Sequence, residues 1–243
     1  MNIFYVILLA TIAANPQESF KDANEAFLAG GYNRAIELYN AMLADGYDSP
    51  DVRYNLGNAY LASGRRGAAV VQYERALYLD PLFSDAKRNL QIAERPVYEE
   101  AAFAPSANAP FEEFFRYLPV RVISLAALAS WCAVFALLIA RRLISRTAYA
   151  KKSGIALVFA IPIATVLCSL LAGSIWVREF NPRCVVLSDT AELKEGPSGS
   201  FKTLTSLKDG LVLKIEKAEN GWYRVILPSS VKGWVKSDAV DPI

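Results

Sequence analysis

The residues able to do covalent or metal chemistry are few in this chain, and their types exclude most of it. Histidine is absent from all 243 residues. His general bases, His metal ligands and the Ser–His–Asp and Cys–His nucleophile arrangements therefore fall away together. Three cysteines, Cys132, Cys168 and Cys184, stand too far apart for a CxxC pair and are too few for a disulfide framework. Adjacent carboxylates occur at Glu99-Glu100 and Glu112-Glu113, in a proline-containing stretch where nothing would position a substrate or shift their pKa. No G-x-G-x-x-G, Walker A or G-x-S-x-G run is present. The expectation is a protein that is not an enzyme, with no cofactor or metal, whose work is binding.

Composition says where that binding takes place. With 26 Lys and Arg against 24 Asp and Glu, the net charge of +2 argues against a nucleic-acid partner. Hydrophobic residues make up 53%, above the usual share of a soluble domain. The excess sits in three stretches, which predict a multidomain membrane protein.

Ile3 to Ala13 is uncharged but too short to span a bilayer. With Ala13, Ala14 and then Asn15-Pro16 after it, residues 1–14 read as a signal peptide, the alternative being an uncleaved anchor. Val122 to Ala140 carries no charge and holds nine Leu, Ile, Val or Phe, on the order of −3 to −5 kcal/mol towards insertion. Ser153 to Val177 is also uncharged, with Pro162 inside it. These predict two transmembrane helices, at 119–140 and 153–177. Arg141, Arg142, Arg146, Lys151 and Lys152 lie between them with no acid. The positive-inside rule makes 141–152 a cytoplasmic loop and puts both larger segments outside. Cys184 is then the one cysteine outside the spans, a spare thiol or a small hydrophobe.

The first outer segment repeats. Leu56-Gly57, Tyr60, Ala69, Tyr73, Ala76 and Pro81 resemble the tetratricopeptide consensus, a 34-residue helix–turn–helix, with Arg53 where its Trp belongs. Thirty-four residues earlier, Asn24, Gly30, Ala35 and Tyr39 answer Asn58, Gly64, Ala69 and Tyr73. Residues 15–95 thus read as two repeats plus a capping helix, Leu82 to Glu94. So short an array needs support from another copy, a partner or its own linker. The resemblance implies a peptide-binding groove lined by Phe20, Asn24, Phe27, Tyr54, Asn58, Leu61 and Arg88. Asn24, Asn58 and Arg88 look like part of a carboxylate grip, although Asn at this consensus position also serves structure alone. Residues 96–118, with Pro96, Pro105 and Pro110, read as an extended linker to the membrane.

The last segment, 184–243, loses the helical period. Strand-like runs are Cys184–Leu187, Phe201–Leu207, Leu211–Lys217, Trp222–Leu227 and Val231–Lys236, with Asn220-Gly221 as a hairpin turn. The paired elements Asn220-Gly-Trp-Tyr223 and Lys232-Gly-Trp-Val235 resemble the bacterial SH3-like fold, an all-β barrel. Trp222, Tyr223 and Trp234 are either an aromatic binding shelf or core. Family analogy names the cell wall as a ligand for this domain.

The whole order resembles the BatE-type proteins of the bacterial aerotolerance operon. That resemblance implies a scaffold of the inner membrane with both soluble domains outside. Its partners would be membrane proteins with von Willebrand factor A-type domains and a MoxR-like AAA+ ATPase. A cell-wall anchor and an envelope stress sensor are the other classes, and the repeat groove and the barrel are expected at opposite ends of the molecule.

Overall fold

The computed structural model describes residues 15–100, 109–143 and 148–243. The signal-peptide reading falls outside them. The chain divides into two units, residues 1–105 with 182–243, and residues 106–181.

Among the described residues, the first unit holds five helices before its strands: α1 (Pro16–Leu28), α2 (Tyr32–Ala44), α3 (Pro50–Ala62), α4 (Arg66–Leu79) and α5 (Ser84–Glu100). The 34-residue register governs their ends. Asn15 caps α1 and Ser49 caps α3, each accepting a backbone N–H and each followed by proline at the first helical position. Close packing follows the register too. Ala35 and Ala69 are buried, and a Cβ on Gly57 would lie 2.6 Å from the Tyr73 ring. Arg53, in the place of the missing Trp, replaces apolar filling by polar ties. Its guanidinium donates to both Asp48 carboxylate oxygens at 2.7 and 2.8 Å and to Gln72 at 2.9 Å.

The capping helix is longer than the sequence suggested. It continues past Pro96 to Glu100, into the segment read as linker.

The same unit holds seven antiparallel strands: β1 (Arg183–Val186), β2 (Glu192–Lys194), β3 (Thr203–Ser206), β4 (Val212–Glu219), β5 (Trp222–Ile226), β6 (Lys232–Lys236) and β7 (Val240–Pro242). Their order is β3-β2-β6-β5-β4-β1-β7. Asn220 and Gly221 form the expected two-residue turn, with φ of 48° and 79° and Glu219 paired to Trp222. The core of this β domain joins Cys184, Val186, Leu193, Leu207, Leu213, Val225, Val235 and Val240. Val97 of α5 belongs to the same core and is 1% exposed.

The support that the array needs therefore comes from the β domain, and the expectation of opposite ends is corrected. Gly67 on α4 approaches so closely that a Cβ there would lie 2.1 Å from the Val186 carbonyl oxygen. Arg183 of β1 donates to Glu74 at 2.7 Å, and Arg75 to Asp241 of β7 at 2.7 Å. Glu74 would be costly to bury without Arg183, and Val97 would be left exposed without the β-domain core.

Among the described residues, the second unit has three helices, α6 (Ala109–Arg116), α7 (Val120–Leu143) and α8 (Ala148–Phe180). Two of them, Val120–Leu143 and Ile155–Phe180, are long and apolar enough to cross a membrane. The expected 141–152 loop is mostly helical. Arg141 and Arg142 end α7, and Lys151 and Lys152 lie within α8; Arg146 falls outside the described residues. Trp131 donates its indole N–H to Cys168 Sγ at 3.2 Å between the two helices.

Candidate functional site

The groove face is built by a hydrogen-bond ladder that obeys the repeat. Asn24 Oδ1 accepts the Tyr39 hydroxyl at 2.5 Å and Asn55 Nδ2 at 3.0 Å. One repeat later, Asn58 Oδ1 accepts the Tyr73 hydroxyl at 2.8 Å and Asn89 Nδ2 at 2.8 Å. Every partner has moved by 34 residues. The amide oxygens thus tie the first helix of each unit to its own second helix and to the first helix of the next. Burial raises the Tyr39 phenol to about 12 and raises Tyr73 also, so both stay protonated donors.

Around this ladder Phe20, Asn24, Phe27, Tyr54, Asn58 and Leu61 are all half-buried. Phe20 packs edge-on to Tyr39, Phe27 against Tyr32, and Tyr54 against Phe83 at 5.0 Å. Phe20 and Phe27 also pack on the core of the first repeat, and Tyr54 also meets Tyr73 at 6.1 Å, so these half-buried rings are held in place, the condition for a preformed contact surface.

Arg88 does not join them. It is exposed and pairs with Asp85 one turn back on its own helix. The residue beside Asn58 is Asn89, which also donates to the Tyr54 hydroxyl at 3.2 Å. The sequence carried the signal for this, because Asn55 and Asn89 stand 34 residues apart. The two amides and guanidinium expected to converge on a carboxylate are thus corrected to a ladder of amides and phenols.

The aromatic trio on the β domain divides between its two faces. Tyr223 packs on the core. Trp222 and Trp234 are half-buried on the opposite face, because Trp234 pairs directly with Arg224 and Trp222 stands two residues before Arg224. Lys194, Lys236 and Glu219 are the other cross-strand neighbours of these tryptophans. Cations and acids alternate around them, with Glu216 bound by both Arg224 and Lys232.

Cys184 resolves to the small hydrophobe of the two alternatives. It is fully buried, and burial pushes its thiol up to about 12, so it holds no reactive thiolate. Among the described residues no group of three or more Cys, Asp or Glu is arranged to hold a metal ion.

The family model of the tetratricopeptide repeat matches residues 26–90, and that of the bacterial SH3 domain matches residues 189–241. The helical array carries tetratricopeptide repeats. The sheet carries a bacterial SH3 domain. No curated protein matches the chain. Both matches stop short of Val97 and Arg183, so two of the residues that join the repeats to the SH3 domain lie outside the family patterns.

Tetratricopeptide repeats are protein-interaction modules, and a bacterial SH3 domain points to the cell wall. The two surfaces here are separate. The SH3 domain engages Gly67, Glu74 and Arg75 on α4 and Val97 on α5, whereas Phe20, Phe27, Tyr54 and Leu61 stand on α1 and α3.

Proposed function

We propose that this chain is a non-enzymatic scaffold anchored in the bacterial inner membrane, holding a partner protein in its repeat groove on the outer side. The observation that carries this reading is the half-buried row Phe20, Phe27, Tyr54 and Leu61, on helices other than the two against which the SH3 domain packs. Two apolar helices between the two soluble parts return the chain to the side it left, which suits their packing together. The resemblance to BatE-type proteins supplies the partner class, membrane proteins with von Willebrand factor A-type domains and a MoxR-like ATPase, and a role in oxidative or envelope stress.

The test is co-purification from membranes of the full chain carrying Phe27→Ala and Leu61→Ala, beside a Trp222→Ala and Trp234→Ala chain. The scaffold reading expects partner loss in the first and retention in the second. The reverse result makes the SH3 domain the binding module.

A cell-wall anchor is the second reading, favoured by Trp222 and Trp234 sharing one face of the SH3 domain. Retention of the full chain on purified peptidoglycan, lost in the double Trp variant, would support it.

A further inference from the structure

The segment read as linker contains a helix whose design fits neither a linker nor a soluble surface. In α6, Ala109–Arg116, the rings of Phe111, Phe114 and Phe115 stand at i, i+3 and i+4 and share one side, while Glu112, Glu113 and Arg116 fill the other. Phe115 is the anchor. Its ring lies against Gly173 of α8, where a Cβ would come within 2.3 Å of it.

Polar contacts fasten the same helix to the end of α8. Asn181 Nδ2 donates to Glu112 Oε2 at 2.8 Å, and Arg178 donates to the carbonyls of Arg116 at 2.7 Å and Leu118 at 3.0 Å. Yet Phe111 and Phe114 remain 58% and 55% exposed, the first tilted against Phe115 at 4.6 Å and the second edge-on to it at 5.2 Å. Such exposed rings on a firmly held helix mark an interaction surface.

The occupant follows from what continues the surface. Val122 and Leu125 at the start of α7, and Ile175, Trp176 and Phe180 at the end of α8, are exposed apolar residues of the two candidate spans. The 26 residues of Ile155–Phe180, charged only at Arg178 and Glu179, rise about 39 Å, roughly 9 Å more than a hydrocarbon core of ~30 Å. The last turns of α8, where α6 is fastened, therefore reach the headgroup boundary. The geometry points to α6 as an interfacial helix that buries Phe111 and Phe114 in the outer leaflet of the bilayer, with its glutamates towards the headgroups. The inference rests on the hairpin's being a membrane anchor.

Depth-dependent quenching tests it in the full chain, with Cys132→Ala, Cys168→Ala and Cys184→Ala as background. Single labels go at Phe111→Cys, Phe114→Cys, Glu113→Cys and Phe135→Cys, which leaves the anchoring Phe115 in place. The chain is reconstituted in phosphatidylethanolamine–phosphatidylglycerol vesicles with nitroxide lipids labelled near the headgroup or near the chain end. The expected result is quenching at 111 and 114 by the shallow nitroxide, at least about twofold stronger than at 113, as for an in-plane helix. The label at 135 should be quenched by the deep one. If 111 and 114 match 113 while 135 is quenched, the face is covered by protein, a second copy or a partner, and the proposal is wrong. If 135 also escapes quenching, the anchor reading itself fails and takes the proposal with it.

Discussion

The carboxylate of Asp209 accepts the backbone N–H of Gly67 at 3.0 Å, across 142 residues of sequence. Gly67 is the second residue of α4, and the local N-cap, Arg65, provides no side-chain hydrogen bond. The SH3 domain thus caps a repeat helix that cannot cap itself, from a turn that Asp189 steadies by accepting the Asp209 N–H at 2.9 Å.

Asp209→Ala should lower the stability of the full chain by about 0.5–2 kcal/mol, the range for losing an N-cap. Burial raises the Asp209 carboxyl, against the pull of the Gly67 and Arg66 amides. A raised folded-state value means its contribution is complete below the unfolded value near ~3.9 and declines as pH rises through the folded one. Asp209→Asn keeps an acceptor without the charge, so it should gain on the natural chain between pH 4 and pH 7. Thermal melts of both variants in detergent across that range check the sign.

Asp48 titrates in the opposite sense. The Arg53 hydrogen bond holds its carboxyl below the ordinary value. Its stabilisation is present above about 3.9 and is lost as pH falls through the lower folded value. Asp48→Asn should cost roughly 1 kcal/mol at pH 7, since the half-exposed carboxylate is screened, and the difference from the natural chain should vanish in acid. A constant difference down to pH 2 would contradict the pairing.

Gly67→Ala should be far worse than its size suggests, because the new Cβ meets the Val186 carbonyl and the Asp209 carboxylate. The expected cost is about 1–3 kcal/mol. Gly199→Ala, which meets nothing within 4 Å, is the control, and equal melting temperatures for the two would argue against the docked arrangement.

The ladder predicts a coupling. Tyr73→Phe should cost about 0.5–1.5 kcal/mol. Tyr39→Phe should behave alike, since Asn24 and Asn58 accept in the same way. A double-mutant cycle of Tyr73→Phe with Asn58→Ala should show a non-additive term of about 0.5 kcal/mol or more. Strict additivity would separate the two groups.

Much of the array was legible because its period is long and its constraints local. Gly57 is small because Tyr73 crosses it, and that relation recurs in the spacing of Asn24, Asn58, Tyr39 and Tyr73. The strands β2 and β7 are three residues each, too short to show alternation, and only their pairing with β3, β6 and β1 defines them. The docking was hidden for a different reason. Val97 follows a proline in a linker-like composition, and Asp209 sits in a Lys-Asp-Gly turn where an aspartate is ordinary. Neither reveals a partner from the other end of the sequence. Arg88 carries the charge that a carboxylate grip needs, whereas the 34-residue spacing from Asn55 marks Asn89 as the ladder residue.

Val97 gives the molecule an order of assembly. The ribosome releases α5 well before β1, so during synthesis the side chain that ends in the SH3 core has no cover, and α4 has no cap. Both long apolar helices must be made before the covering residues emerge. A chain interrupted between α5 and β1 would leave an array that opens more readily and offers its backbone to proteases. Resistance to digestion would then report that translation reached the far end, and the second module would act as the completion mark of the first.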